Sequence, residues 1–278
     1  NIKQIKRIVK KTNGCMVWGR AVNLAPADDK IIGVERPMSV DPTGQLLASI
    51  LSKKKSVSAT HVLIDIPVGK GSKIESKKEA LKLKSLFERL AKKLRMHVKV
   101  ILTSGLQPVG HGVGPILEAK DVVCTLMDSP KGSKDLKEKS LVMAGYLLEM
   151  GGKAKKGKGY ELAKEILESG RAYNKFVEII RVQGGKKPDP VKLRPGRFKA
   201  QVKTKKAGKV TWISSNVISR VARTAGAPFD KAAGVYLYKK IGDKVKKGEY
   251  LFTIYAHSKE KLRYALRVAK KAESYKIT

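Results

Sequence analysis

Apolar positions along the chain alternate between two rhythms. Leu46, Leu47, Ile50 and Leu51 recur at spacings of three and four, which predicts a helix over Thr43–Lys55 with Pro42 at its start. That spacing puts Ser49 and Lys53 on one face. His61–Ile66 is a short β-branched run ending in Pro67, Gly69 and Gly71, so it reads as a strand opening into a glycine loop, with Lys73 just beyond. Ala80, Leu83, Phe87, Leu90 and Leu94 mark one side of a helix over Glu75–Met96 whose lysines face solvent, and His97–Thr103 reads as the next strand. Two strands joined by a helix make a βαβ unit.

The rest of the chain follows the same logic. Ile2–Thr12 reads as a basic helix stopped by Asn13-Gly14, followed by a short strand over Cys15–Gly19; Leu24–Lys30, LAPADDK, reads as a turn. Gly110–Val123 is a glycine turn entering a helix, and further helices are predicted over Lys134–Met150, Tyr160–Ser169 and Ala172–Gln183. Gly, Pro and Lys crowd Gly184–Arg197, which marks a linker. After it come strands near Phe198–Lys203, Lys209–Ile213, Val235–Lys239 and Tyr250–Tyr255, with helices over Ser215–Ala225 and Ser258–Ala272.

Composition adds one strong feature. The chain carries 60 basic against 24 acidic residues, a net charge of +36, which attracts polyanions and anionic substrates without identifying either. Its lysines are spread over every segment and aromatics make up only 6%, which argues against a dedicated single-strand-binding face. Cys15 and Cys124 form no CxxC pair and read as buried free thiols of a reducing compartment. The four histidines lack ligand spacing, so no metal is expected. His111 in GHGVG has no positioned partner in sequence and reads as structural or cleft-lining rather than as an acid–base group. No stretch has transmembrane length and no signal peptide is visible, so a cytoplasmic protein with no membrane partner is expected.

Candidate chemistry centres on Arg36–Lys73. Ligands of open α/β sheets bind at the carboxyl ends of strands, and glycine loops let backbone N–H groups approach an anion, so Lys73 past the PVGKGSK turn suits a phosphate. Such a loop serves equally well as a plain chain reversal, and the Walker spacing is absent. Asp41, ahead of Pro42, likewise suits a helix cap as well as it suits an acid.

The combination of LAPADD, VERPMSVDPTGQLLASILSKK and DIPVGKGSK resembles the nucleoside phosphorylase family that includes thymidine phosphorylase, and most closely its archaeal AMP phosphorylase branch. GHGVGPILEA resembles the GxGxGPxLEA segment of the same class, and the likeness runs through nearly the whole chain. It implies an α/β fold: a sheet flanked by helices, a small helical lobe segment, and a C-terminal α+β domain of barrel-sandwich type. IGDKVKKGEYLFTIYA resembles a carrier-domain turn, but it holds no carrier lysine in a tight hairpin, and no cofactor is expected. Mapped on the chain, 1–26 and 56–185 belong to the central α/β region, 27–55 to the helical lobe, 186–207 to a linker and 208–278 to the C-terminal domain.

The resemblance implies phosphorolysis of AMP to adenine and ribose 1,5-bisphosphate, with CMP and UMP as further candidates. Asp41 matches the proton donor, and Ser49 and Lys73 match nucleotide-binding positions. Arg36 and Lys53 match residues that hold the pyrimidine ring in thymidine phosphorylase, although two residues fewer separate Arg36 from Ser49 here. Bacterial pyrimidine enzymes end the strand in DVKVGSGAF, so a lysine after this loop suits a 5′-phosphate. The expected partners are AMP and inorganic phosphate, in a homo-oligomer, dimer or larger, with no specific nucleic acid. The family's KHSTGG-type phosphate loop does not occur in these residues, so the expectation is a C-terminal part of a longer enzyme that does not turn over by itself. Two rivals remain: a pyrimidine nucleoside phosphorylase, and a non-enzymatic nucleic-acid-binding module.

Overall fold

The computed structural model describes residues 2–17, 25–38 and 43–278, with side chains of the second segment described up to residue 34. In chain order the elements are α1 (Ile2–Thr12), α2 (Pro26–Met38), α3 (Thr43–Ser56), β1 (His61–Val68), α4 (Lys77–Lys93), β2 (His97–Ser104), β3 (Gly112–Val113) and α5 (Pro115–Leu126). They continue with α6 (Lys134–Met150), α7 (Gly159–Glu168), α8 (Arg171–Val182), β4 (Phe198–Lys203), β5 (Gly208–Ile213) and α9 (Ser215–Ala225). The chain closes with β6 (Gly234–Leu237), β7 (Lys244–Val245), β8 (Tyr250–Ala256), α10 (Lys259–Lys271) and β9 (Tyr275–Ile277).

Two compact units emerge, and each is assembled from separate stretches of chain. The first comprises Asn1–Ile66, Lys78–Leu102 and Val142–Lys187; the second comprises Pro67–Lys77, Thr103–Leu141 and Pro188–Thr278. In the first, α3 buries Leu47 and Leu51, and α4 buries Ala80, Leu83, Phe87 and Ala91, the stripes that the apolar spacing predicts. β1 and β2 form a two-stranded sheet. His97 N donates to Thr60 O at one end of the pair and Gly105 N to Val68 O at the other, so the two strands run parallel, as the βαβ reading requires.

The second unit holds an antiparallel four-stranded sheet, β3-β6-β8-β4, and a three-stranded sheet, β7-β5-β9. They form no closed barrel among the described residues. α9 and α10 pack against each other and over β6, β8 and β4. Ile218, Val221, Phe252, Ile254, Ala265 and Ile277 lie at the centre of the buried core between them. Ser214 and Ser258 cap the two helices, accepting from Val217 N and Lys261 N, so both starts are written locally.

Two local expectations are overturned. LAPADDK is not a turn: Pro26 opens α2, with Asp28 and Asp29 in its first turn. Proline at the first helical position and acids facing the N-terminal end of the helix dipole are helix-start signals. Residues 15–17 of the expected strand at Cys15–Gly19 are not extended into a ladder. The backbone of Met16 is satisfied instead by one side chain: Gln183 Oε1 accepts from Met16 N at 2.7 Å and Gln183 Nε2 donates to Met16 O at 2.8 Å. The remainder of that stretch lies outside the described residues.

The GHGVG turn shows why its glycines are needed. A Cβ on Gly112 would sit 2.5 Å from the carbonyl carbon of Leu117, and one on Gly114, whose φ is 127°, would sit 2.4 Å from Ala233 O. The turn is held from inside by Asp121, whose Oδ2 accepts from His111 N at 2.6 Å and Gly112 N at 2.7 Å.

Candidate functional site

In the first unit the candidate residues are gathered by one carboxylate. Asp28, in the first turn of α2, is 7% exposed. It accepts from Ser49 Oγ at 2.9 Å, pairs with Lys53 Nζ at 2.7 Å and accepts from Gln45 Nε2 at 3.2 Å. Gln45, Ser49 and Lys53 are spaced four apart on α3, so one helical face presents all three. Lys53 Nζ also lies 3.4 Å from Ser49 Oγ. A buried anion bonded on several sides fixes the rotamers of the groups it contacts, leaving a hydroxyl and an ammonium set side by side.

Beside this cluster lies a cleft of about 640 Å³ walled mainly by aliphatic groups, including Pro26, Ala48, Leu51, Leu90 and Leu94, with Asp28 at its margin. Ser49 and Lys53 do not line it. Ser52, Ser56 and Lys55 also line it, with the Lys55 ammonium donating to Leu94 O at 3.0 Å, so the surface it offers is mainly but not wholly apolar.

Of the other predicted residues, Arg36 lies on α2, and its side chain is outside the described set. Asp41 lies outside the described residues altogether. Lys73 belongs to the second unit, in the loop after β1.

That loop differs from an open anion cradle. Three of its N–H groups are already used: Gly69 N donates to Ile74 O, Ser72 N to Gly69 O, and Gly71 N to Glu75 Oε1 at 2.8 Å. Ser72 Oγ bonds Gly69 O and Ile74 O as well. The glutamate carboxylate holds the place beside Gly71 N, so that N–H is not open to an anion. Trp212 of β5 anchors the loop from outside, donating through Nε1 to Lys70 O at 2.9 Å, with the Lys70 ammonium 5.2 Å from its ring.

His111 is tied into the scaffold of the second unit. Its Nδ1 lies 2.9 Å from Leu237 O, which requires a proton on that nitrogen, and its ring stacks on Tyr236 at 5.5 Å. Next to it Lys240 Nζ ties Gly110 O, Pro108 O and Asp135 Oδ2 together. Burial pushes the Asp135 carboxyl upward, but hydrogen bonds from Lys240 and Ser133 outweigh it and leave the group below its ordinary value. Both thiols are free: Cys124 is buried, with its pKa raised by that burial, and Cys15 is half-buried. No group of His, Cys, Asp and Glu suited to a metal ion occurs among the described residues, and none of their helices is long and apolar enough to cross a membrane.

Asp28 is the residue that sequence reasoning missed. LAPADD was legible as a motif, and Ser49 and Lys53 as one face, but nothing in the spacing tied the two together.

Comparison with known proteins assigns the lineage. Residues 209–276 match the pyrimidine nucleoside phosphorylase C-terminal domain. The chain is 50% identical over its full length to a protein named AMP phosphorylase from Pyrococcus abyssi and 48% identical over 97% of its length to one from Methanocaldococcus jannaschii. It belongs to the nucleoside phosphorylase family. A third such relative, from Pyrococcus furiosus, is 49% identical over 99% of the chain. The match covers 55%, 54% and 55% of these three phosphorylases respectively, so the chain spans about half the length of the curated relatives it matches.

Proposed function

We propose that this chain is part of a nucleotide phosphorylase that converts AMP and inorganic phosphate to adenine and ribose 1,5-bisphosphate. The observation that carries the reading is the Asp28 clamp, which holds Ser49 and Lys53 side by side on α3 in a chain matched end to end by phosphorylases of that name.

In this reading phosphate attacks the anomeric carbon as the glycosidic C–N bond breaks through an oxocarbenium-like state, and the departing purine takes a proton. Asp41 donates that proton, which requires its carboxyl to be held protonated near the base. Ser49 and Lys73 bind the nucleotide, with Lys73 supplying a cation for the 5′-phosphate that a nucleoside lacks. Arg36 and Lys53 contact the base. CMP and UMP are further substrates to be tested, and the working assembly is a homo-oligomer in the cytoplasm.

Adenine release from AMP and phosphate, followed by chromatography, tests the proposal. The 278 residues are assayed as they stand and again with the remaining portion of a Pyrococcus relative added. The expected result is adenine release in the combined sample, dependent on phosphate and on the 5′-phosphate of the substrate. Uridine cleavage without AMP cleavage would instead support the pyrimidine nucleoside reading, and no release from any substrate would overturn both.

A further inference from the structure

The second unit carries a basic layer for which the proposed phosphorolysis has no use. α9 packs on β6 and β8, α10 packs on β8 and β4, and the helices pack on each other, so both cover the same face of the four-stranded sheet. Their outward sides therefore form one surface. Exposed on it are Arg220 and Arg223 from α9 and Lys259, Arg263, Arg267, Lys270 and Lys271 from α10. Glu260 is the one acid on either helix.

This surface differs from the general positive charge of the chain in three ways. It holds four of the thirteen arginines in two short helices, whereas most of the positive charge elsewhere is lysine. Arginine offers a planar fork that bonds phosphate oxygens and stacks on flat rings, which an ammonium does not. It also carries an aromatic ring in the open: Tyr264 is 52% exposed, with the guanidinium carbons of Arg263 and Arg267 at 5.8 and 5.6 Å from its centre. Finally, among the described residues none of Arg220, Arg223, Arg263, Arg267, Lys270 and Lys271 is engaged in a salt bridge.

We propose that the outer face of α9 and α10 binds single-stranded nucleic acid without sequence preference, with Tyr264 as the stacking platform for a base and the surrounding cations on successive phosphates. The cations are spread along two helices rather than converging on one point, which suits an extended polyanion and not a single phosphate. Every exposed residue of α10 other than Tyr264 is charged. An interfacial membrane helix needs an apolar stripe that this face lacks. An exposed ring flanked by guanidinium groups matches the stacking-plus-charge mode of single-strand binders, whereas a duplex presents no unstacked base to it. Composition alone argued against such a face, because Arg220 and Arg223 lie forty or more residues from Arg263 and Arg267 and the two pairs gather only when the helices pack.

Fluorescence anisotropy of a labelled 20-nucleotide oligouridylate on the 278-residue chain tests the proposal, with a duplex of equal length and phosphatidylserine vesicles as parallel probes. The expected order is single strand over duplex over vesicle. Arg263→Gln with Arg267→Gln should weaken oligonucleotide binding about tenfold and lower the log–log salt slope by about 1.4. Neutralising Lys153 and Lys156 in the exposed loop between α6 and α7 removes the same charge and should change affinity less than twofold. Tyr264→Ala should weaken the single strand about tenfold and the duplex little. Equal losses from the two double variants, a preference for duplex or vesicle, or no binding at low salt would each overturn the proposal. Amide-exchange protection centred on α10 upon adding the oligonucleotide is the expected second readout, and protection elsewhere only would contradict it.

Discussion

Replacing Asp28 with alanine would release three groups at once, and the structure sets the scale of the effect. The bond from Ser49 at 2.9 Å is charge-assisted and its acceptor is nearly buried, so its loss costs about 1.5 kcal/mol. The Lys53 side chain is 34% exposed and regains water once freed, which limits that pair to about 1 kcal/mol despite its 2.7 Å separation. The Gln45 bond, at 3.2 Å, adds a few tenths at most, so Asp28→Ala should destabilise the chain by about 2–3 kcal/mol. Asp28→Asn keeps an acceptor for Ser49 and should cost about 1 kcal/mol. Urea denaturation followed by circular dichroism measures both. A double-mutant cycle between Asp28→Ala and Ser49→Ala should show a coupling of about 1 kcal/mol. A cost below about 0.5 kcal/mol with no coupling would mean that the carboxylate does not clamp α3, and the positioning argument for Ser49 and Lys53 would fall.

Three more outcomes follow from the same structure. Asp135 has a folded-state pKa below its ordinary value of 3.8, so it stabilises the fold above that pH, and the contribution is lost as pH falls through the lowered value. The stability difference between the wild type and Asp135→Asn should hold steady from neutral pH downward and shrink only under strongly acid conditions; a difference that grows on acidification would reverse the sign. Gly114→Ala forces a Cβ to 2.4 Å from Ala233 O at a φ of 127° and should cost about 2–4 kcal/mol in a denaturation experiment, where a neutral result would refute the close approach of the turn to β6. Lys73→Ala should lower kcat/KM for AMP at least tenfold while leaving any uridine cleavage unchanged; equal loss on both substrates would remove the 5′-phosphate role.

How far the sequence revealed the fold depended on how local each signal was. The stripes of α3 and α4 and the strands β1 and β2 are written within a few residues and were legible, and the helices α9 and α10 were placed although their capping by Ser214 and Ser258 was not read. α2 was obscured because Pro26, Asp28 and Asp29 serve turns and helix starts equally. Two-residue β3 could not be read, since its ladder to β6 joins Gly112 to Tyr236 across the whole intervening chain. The candidate site shows the same limit. Ser49 and Lys53 share a face by spacing, but their partner Asp28 comes from another helix, and the glycine loop gave no sign that Glu75 would take up its N–H. The placement of Asp41 and the side chain of Arg36 lies outside the described residues.

The most direct test of the phosphorylase account is Asp41→Asn, assayed for adenine release from AMP and phosphate in the same combined sample that supports turnover. A general acid contributes roughly 10²–10⁴-fold, so kcat should fall by at least about a hundredfold while KM for AMP stays within about threefold. An unchanged kcat would contradict the account, because the leaving purine would then be receiving its proton from some other group.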